Sequence, residues 1–107
     1  MFWKRKKKVE ISETALRLDG KLLTLVARRY MDDNGSPQEE GLGRGGRIDT
    51  ANGHVILSTD KGEVFVNNDI SAVECAELMS KGGAIFTGVN ELSGQEETIV
   101  CYYTKRQ

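Results

Sequence analysis

Residues 84 to 104, AIFTGVNELSGQEETIVCYYT, are the densest apolar stretch of the chain, and they are apolar on two faces at once. Ala84 to Leu92 and Glu97 to Thr104 alternate as two strands about a turn near Ser93-Gly94. A two-residue turn there pairs Phe86 with Cys101 and Val89 with Thr98. Ala84, Phe86, Ile99, Cys101 and Tyr103 then share one face, and Ile85, Val89, Val100 and Tyr102 share the other. A strand pair apolar on both faces needs cover on both. Whatever the fold, this hairpin lies between two layers, or between one layer and a partner.

The 107 residues are enough to bury one core but not two, so a single domain is expected over residues 9–107. One layer of cover is expected from a helix. Ser71-Ala72-Val73-Glu74 has the S-x-x-E form of a capping box, with Asp69 as a rival N-cap. Val73, Ala76, Leu78 and Met79 supply an apolar side, and Gly82-Gly83 ends the element. The other layer is expected from a first hairpin over residues 9 to 30, with Asp19-Gly20 as its turn. That register sets Leu16 opposite Leu23, Thr14 opposite Leu25 and Glu10 opposite Arg29. A second hairpin joins His54–Thr59 to Glu63–Asn67 through Asp60-Lys61-Gly62. Residues 31 to 53, polar and rich in glycine, read as a long loop. The fold class is therefore α+β: an antiparallel sheet of about six strands in three hairpins, with one helix between the second and third.

Within that loop, Gly41, Gly43 and Gly46 match the G-x-G-x-x-G spacing of a phosphate cradle. A cradle needs a buried strand before the glycines and a helix beginning within them. Here Glu39 and Glu40 precede them and a further strand follows, so a mobile connection is expected, tolerant of serine at Gly43 and Gly45. Arg44-Gly45-Gly46-Arg47 is one RGG unit, where RNA-binding segments use many. Asp32-Asp33-Asn34-Gly35 resembles part of a calcium loop, but Tyr30 and Gly41 occupy two of the ligand positions.

The sole histidine, His54, opens a strand, and Cys75 and Cys101 stand within elements, as small core residues do. Their spacing, without C-x-x-C, suggests two independent thiols in a reducing compartment. Asp32-Asp33, Glu39-Glu40 and Glu96-Glu97 are adjacent carboxylates of a common surface kind. No catalytic, metal or cofactor site emerges, and no small-molecule substrate is inferred.

Charge is distributed unevenly. Five of the 15 basic residues are Lys4, Arg5, Lys6, Lys7 and Lys8, directly after Phe2 and Trp3, the one tryptophan. The other 10 basic residues face 16 acidic ones, so a basic arm, expected to be disordered over residues 1–8, is carried on an acidic body. No apolar run follows the basic start, so neither a cleavable signal nor a spanning helix is expected. A cytoplasmic protein follows, with peripheral membrane association open to the arm. The favoured function is a small non-enzymatic protein-interaction module, with a homodimer as one form. Its partner interface would hold Ile85, Val89, Val100 and Tyr102. The alternative is a peripheral binder of anionic lipid or nucleic acid through residues 2–8.

Overall fold

A computed structural model of the protein describes residues 13–103. These residues form an α+β domain, mostly antiparallel sheet. The strands are β1 (Leu25–Met31), β2 (Pro37–Gly43), β3 (Ile48–Asp49), β4 (Val55–Thr59), β5 (Gly62–Asn67), β6 (Glu74–Glu77), β7 (Gly83–Asn90) and β8 (Gln95–Tyr102). One sheet has the order β2-β1-β8-β7-β6, the other β3-β4-β5. Residues 13–17 are helical.

The two sheets face one another across a single core. Val26, Ile99, Cys101, Ala84, Phe86 and Cys75 from the five-stranded sheet meet Ile48, Val55, Leu57 and Phe65 from the three-stranded one. Ala15 and Leu18 of the helical segment, and Leu23 after it, join the same cluster. Phe65 and Phe86 are fully buried, each contributing about 3 kcal/mol of transfer free energy. The central hairpin thus receives one layer of cover from a second sheet, where the sequence suggested a helix.

That helix is absent. Asp69 accepts from the Ser71 backbone N–H (3.1 Å) and hydroxyl (2.6 Å) and caps only a single 3-10 turn, Ile70–Ala72. Val73 is already extended, and Glu74–Glu77 pairs antiparallel with β7. The segment alternates, with Val73 and Cys75 buried and Glu74 and Ala76 exposed. Edge pairing to β7 outweighs a helix whose apolar stripe was narrow.

The first hairpin is also replaced. Thr14 to Arg17 are helical, and Asp19-Gly20 ends that helix instead of turning a hairpin. Gly20, at φ 84°, donates its N–H to the Ile48 carbonyl at 2.7 Å. An Asp-Gly pair suits a helix stop as well as a tight turn, because both need a left-handed residue. β1 pairs with β8 on one side, setting Leu25 opposite Tyr102 and Ala27 opposite Val100.

On its other side β1 pairs with β2, which lies inside the segment expected to be a loop. The turn Asp32–Ser36 joins them, held by the Asp32 carboxylate, which accepts from the Asn34 and Ser36 N–H groups at 2.9 Å each. Arg28 meets Glu40, and Arg29 meets Glu39 at 2.8 Å. The pattern Arg28-Arg29 against Glu39-Glu40, mirrored about Asn34, is the signal that marks this pair in a strand too polar to alternate.

The second hairpin forms as expected, with Thr59 opposite Gly62. The last hairpin keeps its faces but shifts its register by two residues, pairing Phe86 with Ile99 and Val89 with Glu96. The shift comes from a four-residue loop closed by Asn90, whose carbonyl accepts from Ser93 (3.1 Å) and Gly94 (2.7 Å). Asn90 also ties the sheets together. Its buried amide donates to the Val64 carbonyl (2.8 Å) and Glu97 (3.0 Å), and accepts from the N–H groups of Val66 (3.2 Å) and Leu92 (3.1 Å).

Candidate functional site

The second sheet and the helical segment pack on one face of the five-stranded sheet, so the opposite face carries whatever the sheet offers outward. Gly41, Ala27, Val100, Ile85 and Ala76 stand side by side across all five strands of that face. The next row holds Glu39, Arg29, Thr98, Thr87 and Glu74. Beyond it lie Val89 and Glu96; on the other side lie Leu25, Tyr102 and Gly83. An apolar row is thus bordered by threonines and charge.

Tyr102 closes over part of this row. Its hydroxyl donates toward both carboxylate oxygens of Glu39, 3.2 Å from each, although Glu39 is two strands away. The phenol therefore spans β1 above Ala27. Partial desolvation and the neighbouring Glu39 raise the Tyr102 pKa, while Glu39 likewise raises that of Arg29. Ala27 and Val100 beneath are closed to solvent.

The four residues expected at an interface do share this face. They differ in availability. Val89 is 48% exposed, Ile85 and Tyr102 are half-buried, and Val100 is fully buried at 0%. Leu25 and Met31, which the sequence reading did not single out, are exposed on the same side of β1. Their signal was parity with Ala27 on a strand whose partners were then misassigned. Phe2, Trp3, Lys4, Arg5, Lys6, Lys7 and Lys8 lie outside the described residues.

The other candidates are engaged in structure. The glycine segment runs into β3, with no helix in the cradle position. It is a close crossing between the sheets: Leu23 N–H donates to the Gly46 carbonyl (3.0 Å) and Asp60 N–H to that of Arg44 (2.8 Å). A Cβ on Gly43 would meet the Thr59 side chain at 2.8 Å, so the expected tolerance of serine there does not hold. Asp32 serves its own turn, and its pKa is lowered chiefly by the Ser36 N–H. His54 Nε2 lies 3.0 Å from Asp49, whose pKa it lowers. Burial pushes the Cys75 thiol up to about 12 and raises that of Cys101, both free cysteines, so neither presents a thiolate. Among the described residues no three metal-ligating side chains converge, and no helix is long and apolar enough to cross a membrane.

Compared with known proteins, the chain matches no family model, no curated protein and no solved structure.

Proposed function

We propose that the protein is a small non-enzymatic interaction module that docks a protein partner, a second copy included, on the outer face of its five-stranded sheet. One observation carries this reading. Both covering elements pack on the opposite face, while Leu25, Met31 and Val89 are exposed beside the apolar row of the outer one. Such an arrangement supplies a central apolar contact with a polar border, the usual anatomy of an interface. Val89 is the contact to remove, because it is exposed and its substitution leaves the core untouched. Val89→Glu is expected to lower the light-scattering mass of any assembly, or to abolish capture of a partner from the native host, at unchanged melting temperature. A wild-type mass of 11.9 kDa up to millimolar concentration, together with equal capture by wild type and Val89→Glu, would overturn the reading.

The second reading, a peripheral binder of anionic lipid or nucleic acid, is favoured by Phe2 and Trp3 standing before five consecutive cations. It requires salt-sensitive binding that is lost on deleting residues 2–8.

A further inference from the structure

The chain passes from β2 to β3 beside the Asp60-Lys61 turn of the second hairpin, and an open cleft of about 380 Å3 lies at this crossing. Leu25 and Leu42 form its apolar side, while Gly43, Arg44, Asp60 and Lys61 stand around the rest. A volume of this size admits a small molecule. Leu42 is half-buried and packs against the core, so the apolar side is fixed by the fold.

The polar side is rich in donors. The Arg44 and Lys61 side chains make no ion pair and no hydrogen bond among the described residues. The backbone N–H groups of Arg44, Gly45 and Gly46 find no acceptor there either. Their carbonyls are spent differently: that of Arg44 accepts from Asp60 N–H (2.8 Å) and that of Gly46 from Leu23 N–H (3.0 Å). These bonds pin the loop and leave its N–H groups as the available ones. Gly45 and Gly46 stand at φ 74° and 80°, and successive N–H groups in turns of this kind hold anions. Charge points the same way. Glu39 and Glu40 precede the glycines, but Arg29 and Arg28 pair with them, so their opposition to an anion is offset. Within the cleft two cations face one carboxylate, Asp60.

We infer that this cleft binds a small organic anion. Its carboxylate or phosphate head is held by Arg44, Lys61 and the N–H groups of residues 44–46, and its apolar body rests on Leu25 and Leu42. The site is no dinucleotide cradle, since its donors come from a turn between two sheets and not from a helix. It is also independent of the docking reading, whose test residue, Val89, lies at the other end of the large sheet from Leu25.

The test is an amide NMR titration of the full chain with hexanoate, phenyl phosphate, inorganic phosphate and hexanol, each at millimolar concentration. Saturable shifts of the Arg44, Gly45 and Gly46 amides are expected with hexanoate or phenyl phosphate, and the tighter of the two identifies the head group. Inorganic phosphate lacks the apolar body and hexanol the charge, so both should bind more weakly. Arg44→Gln/Lys61→Gln, two exposed substitutions that leave the core intact, should weaken binding about tenfold or more at unchanged melting temperature. Asp60→Asn should tighten it. No saturable shift at residues 44–46 with either organic anion overturns the inference, as does binding that the double variant leaves unchanged. Hexanol binding as tightly as the anions overturns the anion site in favour of a merely apolar one. Weaker binding in Asp60→Asn overturns it too, because a cationic group would then be the one recognised. The docking reading fails separately: partner capture by Val89→Glu does not depend on whether these probes bind.

Discussion

Three residues show where the fold is least tolerant. Asn90 is buried, and each polar atom of its amide has two partners. Asn90→Ala strands the Val64 carbonyl and the Val66 N–H at the seam between the sheets. A loss of about 3 kcal/mol is expected in urea unfolding; a loss below about 1 kcal/mol would mean that water replaces the side chain there. Gly46 has φ 80°, and a Cβ at this position would lie 2.0 Å from the Ser58 carbonyl oxygen. Gly46→Ala should cost more than about 3 kcal/mol, combining left-handed strain with backbone displacement, and thermal unfolding measures it. Asp49 gives the pH dependence. Its folded pKa is depressed, first by His54 and then by the Ala51 N–H. The stability it contributes is complete above the unfolded carboxyl value of about 4 and is lost as pH falls through the lower folded value. Asp49→Asn should therefore be less stable than wild type at pH 6 and lose less on acidification. A constant difference between the two from pH 6 to pH 2 would refute the link.

At the scale of elements, the last hairpin separates what can be moved from what cannot. Val100 and Val89 point to the same side, yet one is fully buried and the other about half exposed. Val100→Glu places a carboxylate under the Tyr102–Glu39 contact and should unfold the protein or cost more than about 3 kcal/mol. Val89→Glu should change stability by less than about 1 kcal/mol. Circular dichroism melts of both variants check the contrast. Hairpins β4–β5 and β7–β8 were legible in the sequence because period-two alternation and tight-turn residues agree within a short span. The faces of the last hairpin survived a wrong register because a shift of two residues preserves side-chain parity. β2 was not legible, since an edge strand covered by water carries no apolar alternation and its cue lay in Glu39 and Glu40 answering Arg29 and Arg28. β6 was misread because Val73, Cys75 and Ala76 suit both periods, and only the unpaired edge of β7 decides between them. Tyr102 reaches Glu39 across 63 residues of sequence, a contact that no local pattern encodes.

For the molecule as a whole, two sheets enclose one core, and the larger sheet presents its second face outward. Asn90, Asn67 and Glu91 fasten β5 to the end of β7, so the layers are joined by hydrogen bonds as well as by apolar contact. Both edges of the larger sheet carry glutamates, Glu39 and Glu40 on β2 and Glu74 and Glu77 on β6. Charges on an edge oppose strand-to-strand pairing between copies, so the association proposed above would use the face. The most direct test is site-specific photo-crosslinking in the native host, with the reactive side chain at position 89 and a control at Leu22, which is exposed and bridged to Arg47, just before β3. Discrete protein adducts from position 89, and none of the same mass from position 22, are the predicted result. No discrete adduct from position 89, or identical adducts from both positions, would contradict a docking face on the five-stranded sheet.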